Sequence, residues 1–212
     1  SQPGPSFSSA GGVVAPGDSL TFPGPSSGLV PAPIALANVT TDGSTADFTK
    51  SGTGALTIQN TVTIGDNYSI TAGTLTVSTG GSLTWNATGS ADPDFVPDTG
   101  APIINFNVVN SIVGNAGTNR LFARDGTTYN LNATGALGAS IDQILLGGED
   151  NQGTGNLVLG AGTTNSIPLV ILGFNTAGTE IGNITGTGTL DVTTTLTLNN
   201  GTISGNLTGA AA

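Results

Sequence analysis

Apolar and polar residues alternate most regularly in the segment 52–85. Leu56 and Ile58 flank a threonine, and Val62 and Ile64 do the same a few residues later. This period of two is typical of a β-strand with one buried face. The apolar positions change parity after Ala72–Gly73, so a turn is predicted there to keep the same face inward.

The same segment also repeats itself. Gly54–Ile58 recurs nineteen residues later as Gly73–Val77, and Val62–Ile64 recurs twenty-one residues later as Leu83–Trp85. Repetition at this spacing is typical of stacked turns of a solenoid. The pattern therefore predicts an all-β chain folded as a parallel β-helix with turns of unequal length, in which residues 34–212 form one body.

The opening pattern returns in the second half of the chain. Gly153–Leu159 and Gly186–Val192 both match Gly52–Ile58 in frame, and the second match continues with Leu196–Leu198 aligned to Val62–Ile64. We expect these segments to be further turns of the same stack.

The middle of the chain is less regular. Residues 91–98 contain two prolines and three carboxylates, which predicts a loop or insertion. Residues 120–125 and 129–131 are predicted to form a hairpin about Asp125–Gly126, a dipeptide typical of tight turns. Apolar residues at helical spacing after Ser140 indicate one helical turn over 140–146.

Two apolar runs favour a different architecture. Residues 103–109 and 167–172 resemble the core strands of a sandwich, with Pro168 at a strand start or an edge. A β-sandwich or jelly roll is therefore the alternative fold.

Residues 1–33 hold seven of the eleven prolines. Proline lacks a backbone donor, so this region is predicted to be an extended N-terminal arm with at most one short strand, Leu20–Phe22. The arm is either a flexible leader or a segment that completes the sheet of a neighbouring copy. In the second case its anchors are Phe7, Val13, Val14, Leu20 and Phe22.

The charge balance excludes some partners. The formal net charge is −10, with three basic residues against thirteen acidic ones, and charged residues make up 8% of the chain. Nucleic acids and anionic membrane surfaces would be repelled. No apolar run approaches the roughly 20 residues that span a bilayer.

The residue inventory also limits the chemistry. The chain has no cysteine and no histidine, which excludes disulfides, catalytic triads with histidine and histidine-bound metals. Carboxylates are the remaining route to catalysis, and acids beside proline and glycine are usually turn residues, so we expect no enzyme and no catalytic residue. The only dense acidic group, Asp92, Asp94 and Asp98, is a candidate structural Ca²⁺ site, and Glu149–Asp150 is a weaker one.

Glycan binding is a further option. Outward threonine pairs and two aromatic residues have the right chemistry, although β propensity explains the threonines better and a core or rim position explains the aromatic residues equally well. These candidates are Thr61 and Thr63, Thr74 and Thr76, Thr195 and Thr197, Trp85 and Tyr129.

The GTGxLx heptapeptide ending in an apolar residue, with threonine-rich alternation and Asn-Asn-Gly or Ala-Gly corners, resembles the turns of secreted β-solenoids. Similar turns occur in autotransporter passenger domains, autotransporter-associated β-strand repeats and filamentous-haemagglutinin-type adhesins. The resemblance covers about residues 52–85 and 153–209. It implies an extracellular or cell-surface location and a structural or adhesive role. Ser1 and the absence of methionine likewise favour a processed, exported chain.

The ends of a solenoid expose unpaired strand edges unless they are capped. Residues 196–207 remain strand-like with no charge-rich cap, and their apolar positions are Leu196, Leu198, Ile203 and Leu207. We therefore expect a non-enzymatic subunit that pairs with copies of itself into a filament, fibre or layer. A cell-surface adhesin or glycan-binding module is the alternative, and a carbohydrate-active enzyme is less favoured.

Overall fold

The computed structural model describes residues 12–14, 19–22, 34–36, 39–41, 47–50, 55–58, 61–64, 68–70, 73–85, 94–95, 97, 100–114, 117–147, 153–173 and 179–209. These residues contain strands and turns and no helix. In chain order the strands are β1 (Gly12–Val14), β2 (Ser19–Phe22), β3 (Ile34–Leu36), β4 (Val39–Thr41), β5 (Asp47–Lys50), β6 (Ala55–Ile58), β7 (Thr61–Ile64), β8 (Tyr68–Ile70), β9 (Thr74–Val77), β10 (Ser82–Trp85), β11 (Asp94–Phe95), β12 (Ile103–Phe106), β13 (Ile112–Val113), β14 (Asn119–Ala123), β15 (Thr128–Leu131), β16 (Ile141–Leu146), β17 (Thr154–Leu159), β18 (Thr164–Leu172), β19 (Ile181–Gly186), β20 (Thr189–Leu198), β21 (Gly201–Ile203) and β22 (Asn206–Gly209).

The strands form four sheets, and every strand pair within the described ranges is parallel. The eight-stranded sheet has the order β21-β19-β17-β15-β12-β9-β6-β3, and the six-stranded sheet has the order β11-β14-β16-β18-β20-β22. The five-stranded sheet is β1-β4-β7-β10-β13, and the three-stranded sheet is β2-β5-β8. The chain visits the sheets in rotation, which is the topology of a parallel β-solenoid. The predicted fold class is confirmed, and the β-sandwich alternative is wrong.

The sequence repeats predicted the register of the first turns correctly. Ala55–Ile58 pairs residue for residue with Thr74–Val77, and Val62–Ile64 pairs with Leu83–Trp85. Turn length is irregular, as expected: residues paired in register are 19 positions apart at Ile58 and Val77 and 29 apart at Thr76 and Asn105. The length difference falls in the connections between strands.

The core is a set of apolar columns that run along the solenoid axis. In the eight-stranded sheet one column consists of Leu56, Leu75, Ile104, Tyr129, Leu157 and Ile184, all in register and all buried. Each inward side chain therefore packs between the equivalent side chains of the turns before and after it. Burial of this kind stabilises by about 1.5 to 3 kcal/mol for each large apolar side chain.

A column of glycines forms the corner where the six-stranded and eight-stranded sheets meet. Gly155, Gly182 and Gly201 are in register. A Cβ atom at Gly182 would lie 2.7 Å from the carbonyl oxygen of Leu146 and 2.7 Å from Cα of Leu172. Only glycine lets the two sheets approach this closely.

The predicted hairpin at Asp125–Gly126 is wrong. β14 pairs with β11 and β16, whereas β15 pairs with β12 and β17. Asp125 and Gly126 do adopt positive φ angles of 50° and 87°. The two left-handed residues make a solenoid corner, a conformation that a hairpin turn shares locally, so the dipeptide does not distinguish the two.

The predicted helical turn over 140–146 is also wrong, because Ile141–Leu146 is strand β16. Its register against β14 shifts between Asn119 and Arg120, so that Asp142 is an extra residue on the bulged strand. The bulge places the buried Ile141 and Ile144 three positions apart, and the same spacing occurs on the buried face of a helix.

Three further expectations need correction. Residues 91–98 include β11, which pairs with β14, so this stretch is not only a loop. Pro168 lies inside β18 at a register shift between Ile167 and Leu169, where a residue without an N–H group is tolerated. Gly186–Val192 does not stack with Gly153–Leu159, because β17 pairs with β15 and with Ile181–Gly186, whereas β20 pairs with β18 and β22.

The arm predicted over residues 1–33 contains two strands rather than one. β1 pairs with β4 and β2 pairs with β5, both within the chain. The other residues of 1–33 lie outside the described ranges, so the extended arm itself stays a prediction.

Candidate functional site

The last described turn of the solenoid has an open edge. β21 and β22 are the terminal strands of the eight-stranded and six-stranded sheets, and the second half of β20 pairs on one side only, with β18. Among the described residues no further strand covers them. The backbone N–H and C=O groups on this side are therefore available for pairing with another strand.

The four apolar residues that the sequence assigned to this end lie together on it. Leu196 and Leu198 are on β20, Ile203 is on β21 and Leu207 is on β22. Leu196, Ile203 and Leu207 are half-buried against the core, and Leu198 is 54% exposed. Positions whose equivalents in the preceding turn are fully buried are thus partly open to solvent here; for example, Leu172 is buried and its partner Leu198 is exposed.

The opposite end carries the N-terminal candidates. β1, β2 and β3 are the edge strands of the five-stranded, three-stranded and eight-stranded sheets. Val13 and Val14 lie on β1, and Leu20 and Phe22 lie on β2, but the positions of their side chains fall outside what the structure describes. Phe7 lies outside the described residues altogether.

The candidate calcium ligands are not brought together by any described contact. Asp94 begins β11, whose backbone pairs with Arg120, and its side chain is not described. Asp92, Asp98 and Glu149–Asp150 lie outside the described residues. Within the ranges that the structure does describe, no three His, Cys, Asp or Glu side chains form a group able to hold a metal ion. The Asp92, Asp94 and Asp98 site stays a prediction.

Tyr129 is a core residue and is closed to a sugar. It is fully buried, its ring stacks on Phe106 at a centroid distance of 5.8 Å, and its hydroxyl donates to the carbonyl oxygen of Phe122 at 2.9 Å. The side chain of Trp85 lies outside the described residues.

The threonine pairs do not form one ladder. Thr61 and Thr63 lie on β7, Thr74 and Thr76 on β9, and Thr195 and Thr197 on β20, in three different sheets. The ladder that the structure does contain is made of asparagine.

This asparagine ladder follows the outer face of the eight-stranded sheet. Asn130 donates to Oδ1 of Asn105 at 2.6 Å, and Asn105 donates to Oγ1 of Thr76 at 3.1 Å. Two residues earlier along the strands, in the row that contains Thr128, Asn183 donates to Oδ1 of Asn156 at 3.2 Å. Each carboxamide therefore bonds to the turn before it, and all these bonds point the same way along the axis.

Sequence reasoning missed the ladder because Asn105 and Asn130 recur 25 positions apart and Asn156 and Asn183 recur 27 apart. Such unequal spacings are not visible as a repeat. The usable signal was an Asn directly before a buried apolar residue in several strands, but aligning these residues required the turn lengths.

We call the outward-facing surface of β9, β12, β15, β17 and β19 the neutral face. None of the eight strands of its sheet contains an Asp, Glu, Lys or Arg residue. The neutral face also carries two of the large apolar residues that are exposed among the described ones, Ile103 at 41% and Ile181 at 36%. It thus combines carboxamide, hydroxyl and aliphatic groups without charge.

No protein-family model, curated protein or solved structure matches this chain. The class that the structure defines is the parallel β-solenoid. No helix among the described residues is long and apolar enough to cross a membrane.

Proposed function

We propose that the chain is a non-enzymatic structural subunit that assembles end to end into a filament, fibre or layer at the cell surface. The observation that carries the proposal is the open edge of the last described turn, where Leu196, Leu198, Ile203 and Leu207 are incompletely covered. The extracellular location rests on the resemblance of the repeats to secreted β-solenoids.

The geometry favours head-to-tail contact. The described strand pairs are all parallel, and the eight-stranded sheet runs from β3 at one end of the stack to β21 at the other. A second copy placed on the open edge would continue this sheet by pairing its β3 with β21, as parallel strands pair inside the chain. Contacts between unlike surfaces generate open polymers when the rotation does not close a ring.

Exchange of the N-terminal arm is a second component of the proposal. β1 and β2 pair with β4 and β5 of their own chain at the edge of the stack. The same pairings can be made with β4 and β5 of a neighbour without any new type of contact.

Substitution of Leu198 by lysine tests the open edge. Leu198 is 54% exposed, so the change should leave the monomer folded. Covering its exposed half contributes about 1 kcal/mol, and an ammonium group buried there instead adds a larger penalty. Since about 1.4 kcal/mol corresponds to tenfold in affinity, the concentration needed for assembly should rise more than tenfold.

The matched control is Val109→Lys, because Val109 is 63% exposed and lies in a corner away from both ends. Light scattering and negative-stain electron microscopy over a concentration series provide the readout, with circular dichroism to confirm folding. Polymers of the wild type and of the Val109 variant, but not of the Leu198 variant, are expected. Dispersed wild-type particles at all concentrations, or equal assembly of all three proteins, would refute the proposal.

Electron microscopy and thermal melting, each with calcium and with a calcium chelator, test the metal prediction. If Asp92, Asp94 and Asp98 hold a structural Ca²⁺ ion, chelation should lower the melting temperature or dissolve the polymers. Identical melting curves with calcium and with chelator would show that the predicted calcium site is wrong.

A further inference from the structure

We infer that the neutral face is a binding surface for an extended, uncharged polysaccharide whose chain runs along the solenoid axis. This inference does not depend on the proposed assembly, because the neutral face lies on the side of the stack and the open edge lies at its end. It rests on the charge, the hydrogen-bonding groups and the register of the eight-stranded sheet.

The distribution of charge is the first observation. The chain carries a net charge of −10, yet all of its thirteen acidic and three basic residues lie outside the eight strands of this sheet. A neutral ligand would meet no Coulomb penalty on this surface, and a charged ligand would find no counter-charge there. The neutral face therefore selects for an uncharged partner.

The hydrogen-bonding groups are the second observation. An Asn carboxamide offers two N–H donors and one acceptor oxygen. Asn130, Asn183 and Asn105 each donate one bond, to Asn105, Asn156 and Thr76, whereas Asn156 contacts two acceptors on the turn before it, and all four side chains are partly buried. The remaining donors and the threonine hydroxyls can bond to sugar hydroxyls.

The ladder also holds these carboxamides in place before a ligand arrives. A side chain that is already ordered loses less entropy on binding, whereas each immobilised flexible side chain costs about 0.5 to 1.5 kcal/mol. An array of ordered neutral groups is thus suited to a ligand that offers many weak contacts.

Exposed aliphatic groups supply the apolar contacts. Ile103 and Ile181 are 41% and 36% exposed on the neutral face, and Val158 of β17 is half-buried on the same face. A pyranose ring presents C–H groups as well as hydroxyls, so it can use both kinds of group. A ligand with hydroxyls only would leave the aliphatic side chains unused.

The regular register makes the surface repetitive. The pairings described for the eight-stranded sheet show no register shift, whereas the six-stranded sheet has shifts at Asn119/Arg120 and Ile167/Leu169. Parallel strands lie about 4.8 Å apart, so the five strands of the neutral face present their groups over roughly 19 Å. A polymer that runs along the axis meets the uncharged outward side chains of a new strand about every 4.8 Å.

The experiment measures binding of the full chain to insoluble cellulose and chitin by depletion from solution at low and high salt. The variant Ile103→Lys places a charge on β12 of the neutral face, and Val109→Lys places the same residue at a more exposed position, 63% against 41%, in the corner that follows β12. We expect wild type and the Val109 variant to bind at least one of the two polysaccharides equally at both salt concentrations. The Ile103 variant should bind at least tenfold more weakly.

Ile181→Lys serves as the second variant if circular dichroism shows that Ile103→Lys is misfolded. Equal binding by the folded face variant and wild type would overturn the inference, as would the absence of wild-type binding to both polysaccharides. Binding that disappears at high salt would also overturn it, since it would indicate an electrostatic contact elsewhere. Assembly is scored separately by light scattering, so the two proposals can fail independently.

Discussion

Substitution of Gly182 by alanine tests whether the corner of the solenoid depends on stacked glycines. Gly182 is buried in β19, between Gly155 of β17 and Gly201 of β21. An added methyl group would meet the carbonyl oxygen of Leu146 and Cα of Leu172 at 2.7 Å. Both atoms belong to the backbone, so no side-chain rotation can relieve the contact.

The expected loss follows from these distances. Ordinary contacts begin at 3.4 Å, so the two sheets would have to separate locally by roughly 0.7 Å. Overpacking of this kind costs about 1 to 3 kcal/mol. Alanine also restricts the unfolded chain, which offsets about 0.4 to 1 kcal/mol. The free energy of unfolding should therefore fall by about 1 to 2 kcal/mol, or roughly 2 to 8 °C in Tm for a chain of this size.

Equilibrium urea denaturation followed by circular dichroism measures this change, with Gly205→Ala as the matched control. The nearest atoms to a Cβ at Gly205 are the side-chain atoms Cδ1 of Leu159 at 3.0 Å and Cγ2 of Ile184 at 3.3 Å, which can move. The control should change stability by less than about 1 kcal/mol. If Gly182→Ala is as stable as wild type while keeping the fold, the argument that close sheet contact requires glycine is wrong.

Two further substitutions test the interior and the ladder. Tyr129→Phe keeps the stacked ring but removes the hydroxyl that donates to the Phe122 carbonyl at 2.9 Å, so urea denaturation should show a loss of about 1 to 2 kcal/mol; unchanged stability would mean that this buried bond contributes nothing net. Asn130→Ala removes the half-buried 2.6 Å hydrogen bond to Asn105 and should lower the free energy of unfolding by about 0.5 to 1.5 kcal/mol. Its control, Asn132→Ala, removes an exposed hydrogen bond to Asn107 and should lower the free energy of unfolding by less. The opposite order of the two losses would contradict a stabilising role for the ladder.

Local patterns along the chain were enough to predict the strand period, the solenoid class and the register of two early strand pairs. This succeeded between Ala55 and Trp85 because consecutive turns there are short and similar in length, so equivalent residues recur at nearly constant spacing. The apolar residues of the open edge were also identifiable, since Leu196 and Leu198 continue the alternation with no charged residue after them. In these places the strand and its buried face are determined by side chains close together in sequence.

Other features depended on contacts between distant turns. Gly186–Val192 has the same local pattern as Gly153–Leu159, yet the two segments do not stack, because every side of the solenoid buries alternate residues in the same way. Two features follow from where neighbouring turns meet: the bulge in β16 opposite Asn119, which gave this strand an apparent helical spacing, and the alignment of Asn105 with Asn130. The period of a strand is a local property, whereas its place in the stack is set by the lengths of all the connections before it. The sequence alone therefore determined the kind of turn, and only the tertiary structure decided which side each strand occupies and which polar side chains lie in one row.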